Sequence, residues 1–366
     1  MTAFVDSIVQ TTSGSALAVA RRARHRPRAR RLLRLLSTRR NILITTHEHP
    51  DPDALASSLA LARLLRSRLP QAKVTLSVKS FSASGLNAAF AQQTEQETTP
   101  WNDHALASFD AIVLLDVQPT FRYSPLPADI APTAVIDHHR ARGRRPACEF
   151  ADIHSDVGAT CSIVFSYFLE LDEPIDPDLA ATMLFAIETD LAGAAGQPGD
   201  LDTVALSSLT LRADTRKLYK MRYVDLPRTY YVAYASALAN AWYWDHAMIS
   251  DLDELVSPEM PAVMADFLLR FDQVEWVLVT ALSAHALVLS LRTSDSRLSA
   301  GDVMRRLVRG LGEGGGHRTK AGGLIPLTNG TDAEIERLRK VVRRRLLRRL
   351  KIRMSRGQRL VPREPR

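Results

Sequence analysis

Residues 132–139 read PTAVIDHH, a short β-branched run that ends in Asp137, His138 and His139. Such a run predicts a buried strand that delivers polar side chains at its C-terminal end. Two other runs end in the same way. Residues 41–46, NILITT, lead into HEHPDPD at 47–53, and residues 110–116, DAIVLLD, close on Asp116. Open, mostly parallel α/β sheets carry their sites at that edge. Three strand ends that each gather acids or imidazoles therefore predict one pocket at one sheet edge.

Outward from these strands the pattern alternates. Asp53 stands where a helix N-cap belongs, and Ala54 to Arg68 is rich in Ala and Leu, as helices are. Lys73 to Val78 alternates as a strand does, and Pro119, Pro125, Pro127 and Pro132 mark a loop before the strand at 133–136. A short strand is expected at 149–153. Apolar residues fall at helical spacing over 158–171 and 179–188, with Asp190 just beyond. Strands alternating with helices predict an α/β domain over residues 41–215, built on a doubly wound, mostly parallel sheet. Residues 202–240 read as helical throughout, with 216–240 as a helical linker. Residues 241–330 then form a second, smaller α/β domain. It has strand-like runs at 246–252, 274–279 and 286–291, helices at 261–271 and 302–308, and the glycine-rich stretch GLGEGGGH at 310–317.

The two ends differ from this body. In residues 1–40 arginines surround Leu32, Leu33, Leu35 and Leu36, which predicts a basic helical extension with Asp6 as its one acid. Residues 337–366 hold fourteen Lys or Arg against Glu364. Their charge alone exceeds the whole-chain net of +8, so the middle of the chain is acidic. Residues 331–366 read as a helix and tail, with Ile335, Leu338, Val342, Leu346 and Leu350 on one face. Basic ends suit RNA or docking onto the acidic body, and their apolar stripes suit a homodimer. No apolar run approaches the ~18 residues a membrane span needs, so no membrane contact is expected. The apolar and arginine-rich segments near the N-terminus come in the wrong order for a signal peptide. Cys148 and Cys161 are too few for a disulfide framework, which predicts a cytoplasmic protein.

The chemistry lies in the donors. His47, Asp51 and Asp53 share a strand-to-helix turn; Asp116, Asp137 and His138 end two further strands; Asp190 follows a helix. Each alone has an ordinary reading, Asp53 as a helix cap and Asp116 as a turn residue. Together, carboxylates and imidazoles without thiolates suit manganese, magnesium or cobalt. Clustered Asp side chains repel one another unless a cation sits among them. Paired divalent cations are the recurring device for phosphate-ester hydrolysis.

These motifs, taken in order, resemble those of the DHH phosphoesterase superfamily: HEHPDPDALAS at 47–57, Asp116, Asp137-His138-His139 and Thr189-Asp190. Gly314, Gly315, Gly316 and His317, followed by Lys320, Ala321 and Gly322, resemble the signature of its DHHA1 domain. The pairing is similar to the RecJ-like oligoribonuclease and pAp-phosphatase (nano-RNase) branch. The resemblance implies one cation, manganese first, on His47, Asp51 and Asp116. It implies a second on Asp53, Asp116, His138 and Asp190, with Asp116 shared. It implies that Asp137 orients His138 or a water, and that His139 faces the scissile phosphate. Glycines let backbone N–H groups approach an anion closely, so Gly314, Gly315 and Gly316, with His317 and Arg292, are expected to hold substrate phosphate. Ala56 stands where the family usually has Gly, and Leu191 where it usually has Thr.

The expected activity is hydrolysis of short oligoribonucleotides or of 3′-phosphoadenosine 5′-phosphate, by in-line attack of a water activated between the cations. The same chemistry on cyclic dinucleotides, pyrophosphate or polyphosphate is the alternative. A reading of another class is an RNA-binding protein with secondary or lost catalysis, in which the basic ends dominate.

Overall fold

The computed structural model describes residues 27–362 except 49, 81–89, 93–97, 122, 140–145, 192–197, 317 and 354–356, and except the side chain of His104. Two compact units divide at Val224 and Asp225.

The first unit opens with α1 (Arg28–Leu36), which buries Ala29, Leu32 and Leu36 and leaves its arginines outward. Its first amides have no side-chain cap of their own. Glu170 supplies one, accepting from Ala29 N at 2.7 Å and Arg30 N at 3.0 Å, where a carboxylate also meets the helix dipole. The expected helices of residues 1–26 lie outside the described residues. β1 (Asn41–Thr45), β2 (Lys73–Val78), β3 (Thr99–Pro100), β4 (Ala111–Leu115), β5 (Ala134–Asp137) and β6 (Phe150–Ile153) form one sheet in the order β3-β2-β1-β4-β5-β6, with every pairing parallel. Continuous apolar runs make such strands because both faces are covered. Ile42, Ile44, Val113, Leu115, Ala134 and Ile136 point into one cluster, and Leu43, Ile112, Leu114 and Val135 into the other. The first cluster is covered by α2 (Pro52–Arg68), α3 (Thr160–Leu171), α4 (Pro177–Leu191) and α5 (Asp200–Thr210). Among the described residues, a 3-10 turn at Asp103–Ser108 and loop residues such as Phe109 and Phe121 cover the second.

Two expectations shift here. α2 begins at Pro52, with Asp51 as its N-cap accepting from Ala54 N at 3.0 Å, so Asp53 is inside the first turn and is not the cap. The fixed φ of Pro52 suits the first helical position. α4 runs on to Leu191, so Asp190 is in its last turn rather than beyond the helix. α6 (Thr215–Arg222) completes this unit, and the segment 216–240 is thus shared between the units rather than standing apart.

The second unit begins with α7 (Arg228–Ala239) and contains β7 (Trp242–Trp244), β8 (Ala247–Leu252), α8 (Met260–Leu268), β9 (Trp276–Leu282), β10 (Ala286–Thr293), α9 (Ala300–Val308), β11 (Glu313–Gly316), β12 (Lys320–Pro326), α10 (Asp332–Arg349) and β13 (Gln358–Arg359). Its seven-stranded sheet runs β11-β12-β10-β9-β8-β7-β13 and is antiparallel except between β8 and β9. The glycine-rich run is therefore an edge strand. α9 lies so close to it that a Cβ on Gly314 would come within 2.8 Å of Met304 Cγ, and a Cβ on Gly301 would collide with the Gly316 carbonyl. α10 buries Ile335, Leu338, Val342 and Leu346 on the unit's core, with arginines on its other faces. The C-terminal basic segment is thus a packed helix up to Arg349.

Candidate metal centre

The strand order reverses between β1 and β4, since β1 connects onward to β2 on one side and pairs with β4 on the other. That reversal opens a crevice beyond the C-terminal strand ends. His47 follows β1, Asp116 follows β4, and Asp137 and His138 come at the end of β5. The three strands are adjacent, so parallel pairing alone brings these residues to one edge.

Asp116 is the centre of the group. Its backbone takes φ 58°, the left-handed region, which Asp tolerates better than most residues. Its carboxylate is almost fully buried and accepts from Thr160 Oγ1 at 2.8 Å. Around it stand His47 Nε2 at 3.7 Å, His138 Nε2 at 3.5 Å and His139 Nδ1 at 3.6 Å. His138 Nε2 also lies 3.4 Å from Asp190 Oδ2. Two sets of donor atoms, His47/Asp51/Asp116 and Asp53/His138/Asp190, each lie within 4.8 Å of one another, as do Asp116/His138/His139. The structure brings together His47, Asp51, Asp53, Asp116, His138 and Asp190.

The imidazoles are oriented by their other nitrogen. His47 Nδ1 donates to the Glu48 carbonyl at 2.9 Å and His138 Nδ1 to the Val157 carbonyl at 3.3 Å, which turns each Nε2 towards the carboxylates, the nitrogen a cation would take. Asp53 is fixed differently. It accepts from Thr160 N at 2.7 Å and Cys161 N at 2.9 Å, the first amides of α3. A carboxylate from α2 thus caps α3, where the helix dipole favours negative charge.

Electrostatics tests whether this donor set fits a cation. Burial pushes the Asp53 carboxyl well above the ordinary range, and Asp116, Asp190 and Asp51 push it further. Burial would also raise Asp116, but the imidazoles of His139, His47 and His138 outweigh it and hold Asp116 well below that range. His47 would be lowered by burial, yet Asp116 and Asp51 push it up to about 9. The pocket therefore draws in positive charge, and protons on histidine supply it in the absence of metal. Four carboxylates with two oriented Nε2 atoms and no thiolate suit hard divalent cations, so the residues fit.

Asp137 departs from expectation. Its carboxylate meets His139, not His138: His139 Nδ1 donates to Oδ1 at 2.7 Å and the His139 amide to the same oxygen at 3.1 Å. The strand ends at Asp137, and the turn that follows folds the His139 amide and ring back onto its carboxylate. Gln118 Nε2 holds the other oxygen of Asp137 at 2.6 Å and the His139 carbonyl at 3.0 Å. Burial lowers the His139 imidazole, but Asp116 and Asp137 prevail and push it up to about 10.

Sequence reading missed Gln118, Thr160, Phe121 and Tyr123. The first two carry no motif. Phe121 and Tyr123 fall in the proline-marked loop and pack edge-on to His139 and His47, with centroids at 6.0 and 5.7 Å, and Tyr123 is 44% exposed. In the second unit, Arg292 is turned inward. Its Nε pairs with Asp266 at 2.7 Å and its Nη1 donates to Ser290 Oγ at 3.0 Å, so those nitrogens are already committed. Gly314, Gly315 and Gly316 form β11, and His317 lies outside the described residues.

Residues 41–187 match the DHH family, N-terminal domain, and residues 245–347 match the DHHA1 domain, together more than half of the chain. A protein of Methanocaldococcus jannaschii without assigned function is 26% identical over 294 residues, 78% of this chain and 58% of the relative. The chain thus spans little more than half the length of that relative. Among solved structures, an exopolyphosphatase-related protein from Bacteroides fragilis superposes with a TM-score of 0.69 at 19% identity, over 88% of this chain and 96% of its own. RecJ from Thermus thermophilus, in complex with Mn2+, superposes with a TM-score of 0.51 at 15% identity, over 90% of this chain and 55% of RecJ. At such identities the likeness is one of fold.

Proposed function

The chain belongs to the DHH superfamily, and from that premise we propose that it is a divalent-cation-dependent phosphoesterase acting on short oligoribonucleotides or on 3′-phosphoadenosine 5′-phosphate. The observation that carries the reading is the buried Asp116, with His47 and Asp51 on one side and Asp53, His138 and Asp190 on the other. Asp116 would be shared by two cations, preferably manganese. Bound there, the cations supply positive charge to phosphoryl oxygens and lower the pKa of water.

The chain's own groups do the remainder. Asp53, tied to the α3 amides, holds its position without help from solvent. Gln118 and Asp137 fix the ring of His139, leaving its Nε2 to meet a phosphate oxygen or to give a proton to the leaving oxygen. Phe121 and Tyr123 place an aromatic edge beside the pocket, and an exposed ring of this kind stacks a nucleobase. That favours a nucleotide substrate over a bare phosphate chain. Two free cysteines, one buried, suit a reducing cytoplasm.

The test is a substrate panel with purified protein, comparing manganese with magnesium. It offers short RNAs, 3′-phosphoadenosine 5′-phosphate, polyphosphate, pyrophosphate and cyclic dinucleotides. Release of nucleotide or phosphate from the first two supports the reading. Inertness towards both, beside an active control enzyme, overturns it, and turnover of polyphosphate alone moves the substrate to the phosphoanhydride class.

A further inference from the structure

The C-terminal unit holds an open depression of about 450 Å3 lined by Arg306, Arg309, Arg345, Arg348, Arg349 and Lys351. Arg306 and Arg309 come from the end of α9, the next three from the last turns of α10, and Lys351 from just beyond it. All six are cations. Among the described residues none of them is paired with a carboxylate. Like charges gathered round one space repel, and an anion relieves the repulsion.

Helix ends attract cations for their own reasons, so those must be set aside first. Arg345 meets that need for α9: its Nη1 donates to the Leu307 carbonyl at 2.5 Å and the Arg309 carbonyl at 2.9 Å. The end of α10 is closed by backbone instead, with Lys351 N donating to the Arg348 carbonyl at 3.1 Å and Ile352 N to the Leu347 carbonyl at 2.9 Å. Capping therefore accounts for one arginine of the five. The closing turn accounts for the left-handed φ of 60° at Lys351, where glycine fits without strain, but not for a lysine there. Its side chain instead adds a sixth cation to the lining. In addition, Arg349 Nε is buried with no hydrogen-bond partner among the described residues.

We propose that this depression binds a run of phosphate groups, such as an oligonucleotide backbone or an inorganic polyphosphate chain. Guanidinium forks match phosphate oxygens in pairs. A space of this size takes a ligand of several groups rather than a lone ion. Among the described residues the lining has no aromatic ring to stack a base and no carboxylate to read one, so recognition is of charge and spacing. The inference goes beyond the reading of the metal centre and does not depend on turnover there.

The experiment measures binding of a short fluorescent RNA to the full chain by anisotropy, with a chelator present so that nothing is hydrolysed. Unlabelled RNA, tripolyphosphate and orthophosphate compete in separate arms. Two variants remove charge from the depression, Arg348→Gln with Lys351→Gln, and Arg306→Gln with Arg309→Gln. A control removes two exposed cations from the first unit, Arg216→Gln with Lys220→Gln. The expected result is about tenfold weaker binding in both depression variants, with a salt dependence flattened by roughly 1.4 in log–log slope, because each lost single-strand contact removes about 0.7. The control should bind as the parent does. Tripolyphosphate competing as RNA does assigns any phosphate chain, and RNA competing alone assigns the nucleic acid; either supports the proposal. Equal loss in the control, unchanged binding in both depression variants, or orthophosphate competing as well as the chains overturns it. Because no divalent cation is present, failure here leaves the hydrolase reading to its own panel.

Discussion

Asp116 and Lys351 are two residues of this chain that hold left-handed backbone without being glycine. At Asp116 the turn aims a carboxylate inward from the end of β4, to where the donors of β1 and β5 converge. Asn tolerates the same conformation, so Asp116→Asn separates ligation from folding. The variant should stay folded but melt below the parent near neutral pH without metal, because the imidazoles lose their ionised partner, and it should lose more than the ~100-fold that an outer partner of a metal is worth in turnover. Near-parent turnover would dismiss the two-cation scheme. At Lys351 the opposite exchange applies. Lys351→Gly removes the left-handed penalty and should stabilise the second unit by about 1–2 kcal/mol in urea unfolding. If the depression binds phosphate chains, the same change weakens that binding. Greater stability with unchanged binding would leave the strained lysine without a purpose.

At the scale of elements, the N-terminal turn of α10 shows how one carboxylate closes a loop. Glu334 accepts from the amides of Thr328, Asn329 and Gly330, each at 2.9 Å, while its own amide donates to Thr331 Oγ1. The amides of Asn329 and Thr328 lower its carboxyl from 4.5 to about 2. A depressed folded-state pKa means that the stabilisation is fully present above the ordinary value of 4.5 and fades as pH falls towards 2. Glu334→Gln should therefore lower the melting temperature near neutral pH, and the difference from the parent should shrink through that window. A constant difference down to pH 2 would show that the carboxylate charge is irrelevant.

The same scale shows what the sequence made legible. The strands of the first sheet are unbroken apolar runs because helices, turns and loops cover both faces, and such runs announce themselves. The stripe of α10 did likewise. The end of α4 did not, because its last turn is polar where Asp190 turns to the metal site and the apolar rhythm stops at Ile187. The start of α2 was displaced by two residues, since Asp53 is as good a cap in sequence as Asp51, the residue that caps it. Only the packing of α3 decides it, by taking Asp53 for its own amides. β11 has no side chains over three residues and so no periodicity to read. The bond between Asp137 and His139 was hidden for another reason: the family pattern implies Asp137 beside His138 or a water, whereas the turn after β5 brings the His139 ring and amide back onto Asp137.

At the scale of the whole molecule, each unit has its own apolar clusters, Ala29 to Met221 supplying those of the first and Tyr230 to Ile352 those of the second. The candidate metal centre belongs wholly to the first unit, and the cationic depression wholly to the second. A ligand that binds only folded protein stabilises it by mass action, by about 2.7 kcal/mol at a hundred times its dissociation constant. For a unit the size of the first, that corresponds to a rise of roughly 5–10 °C in melting temperature. Calorimetry of the full chain should then show manganese raising the transition of the first unit, and tripolyphosphate with chelator raising that of the second. The Asp116→Asn protein should lose the first response and keep the second, because it alters one site and leaves the other's residues untouched. If manganese shifted neither transition, the carboxylates round Asp116 would not be gripping a cation. Their raised and lowered pKa values would then belong to a proton-neutralised core. If it raised the Asp116→Asn protein as much as the parent, the cation would be held somewhere other than the strand ends from which the site has been built.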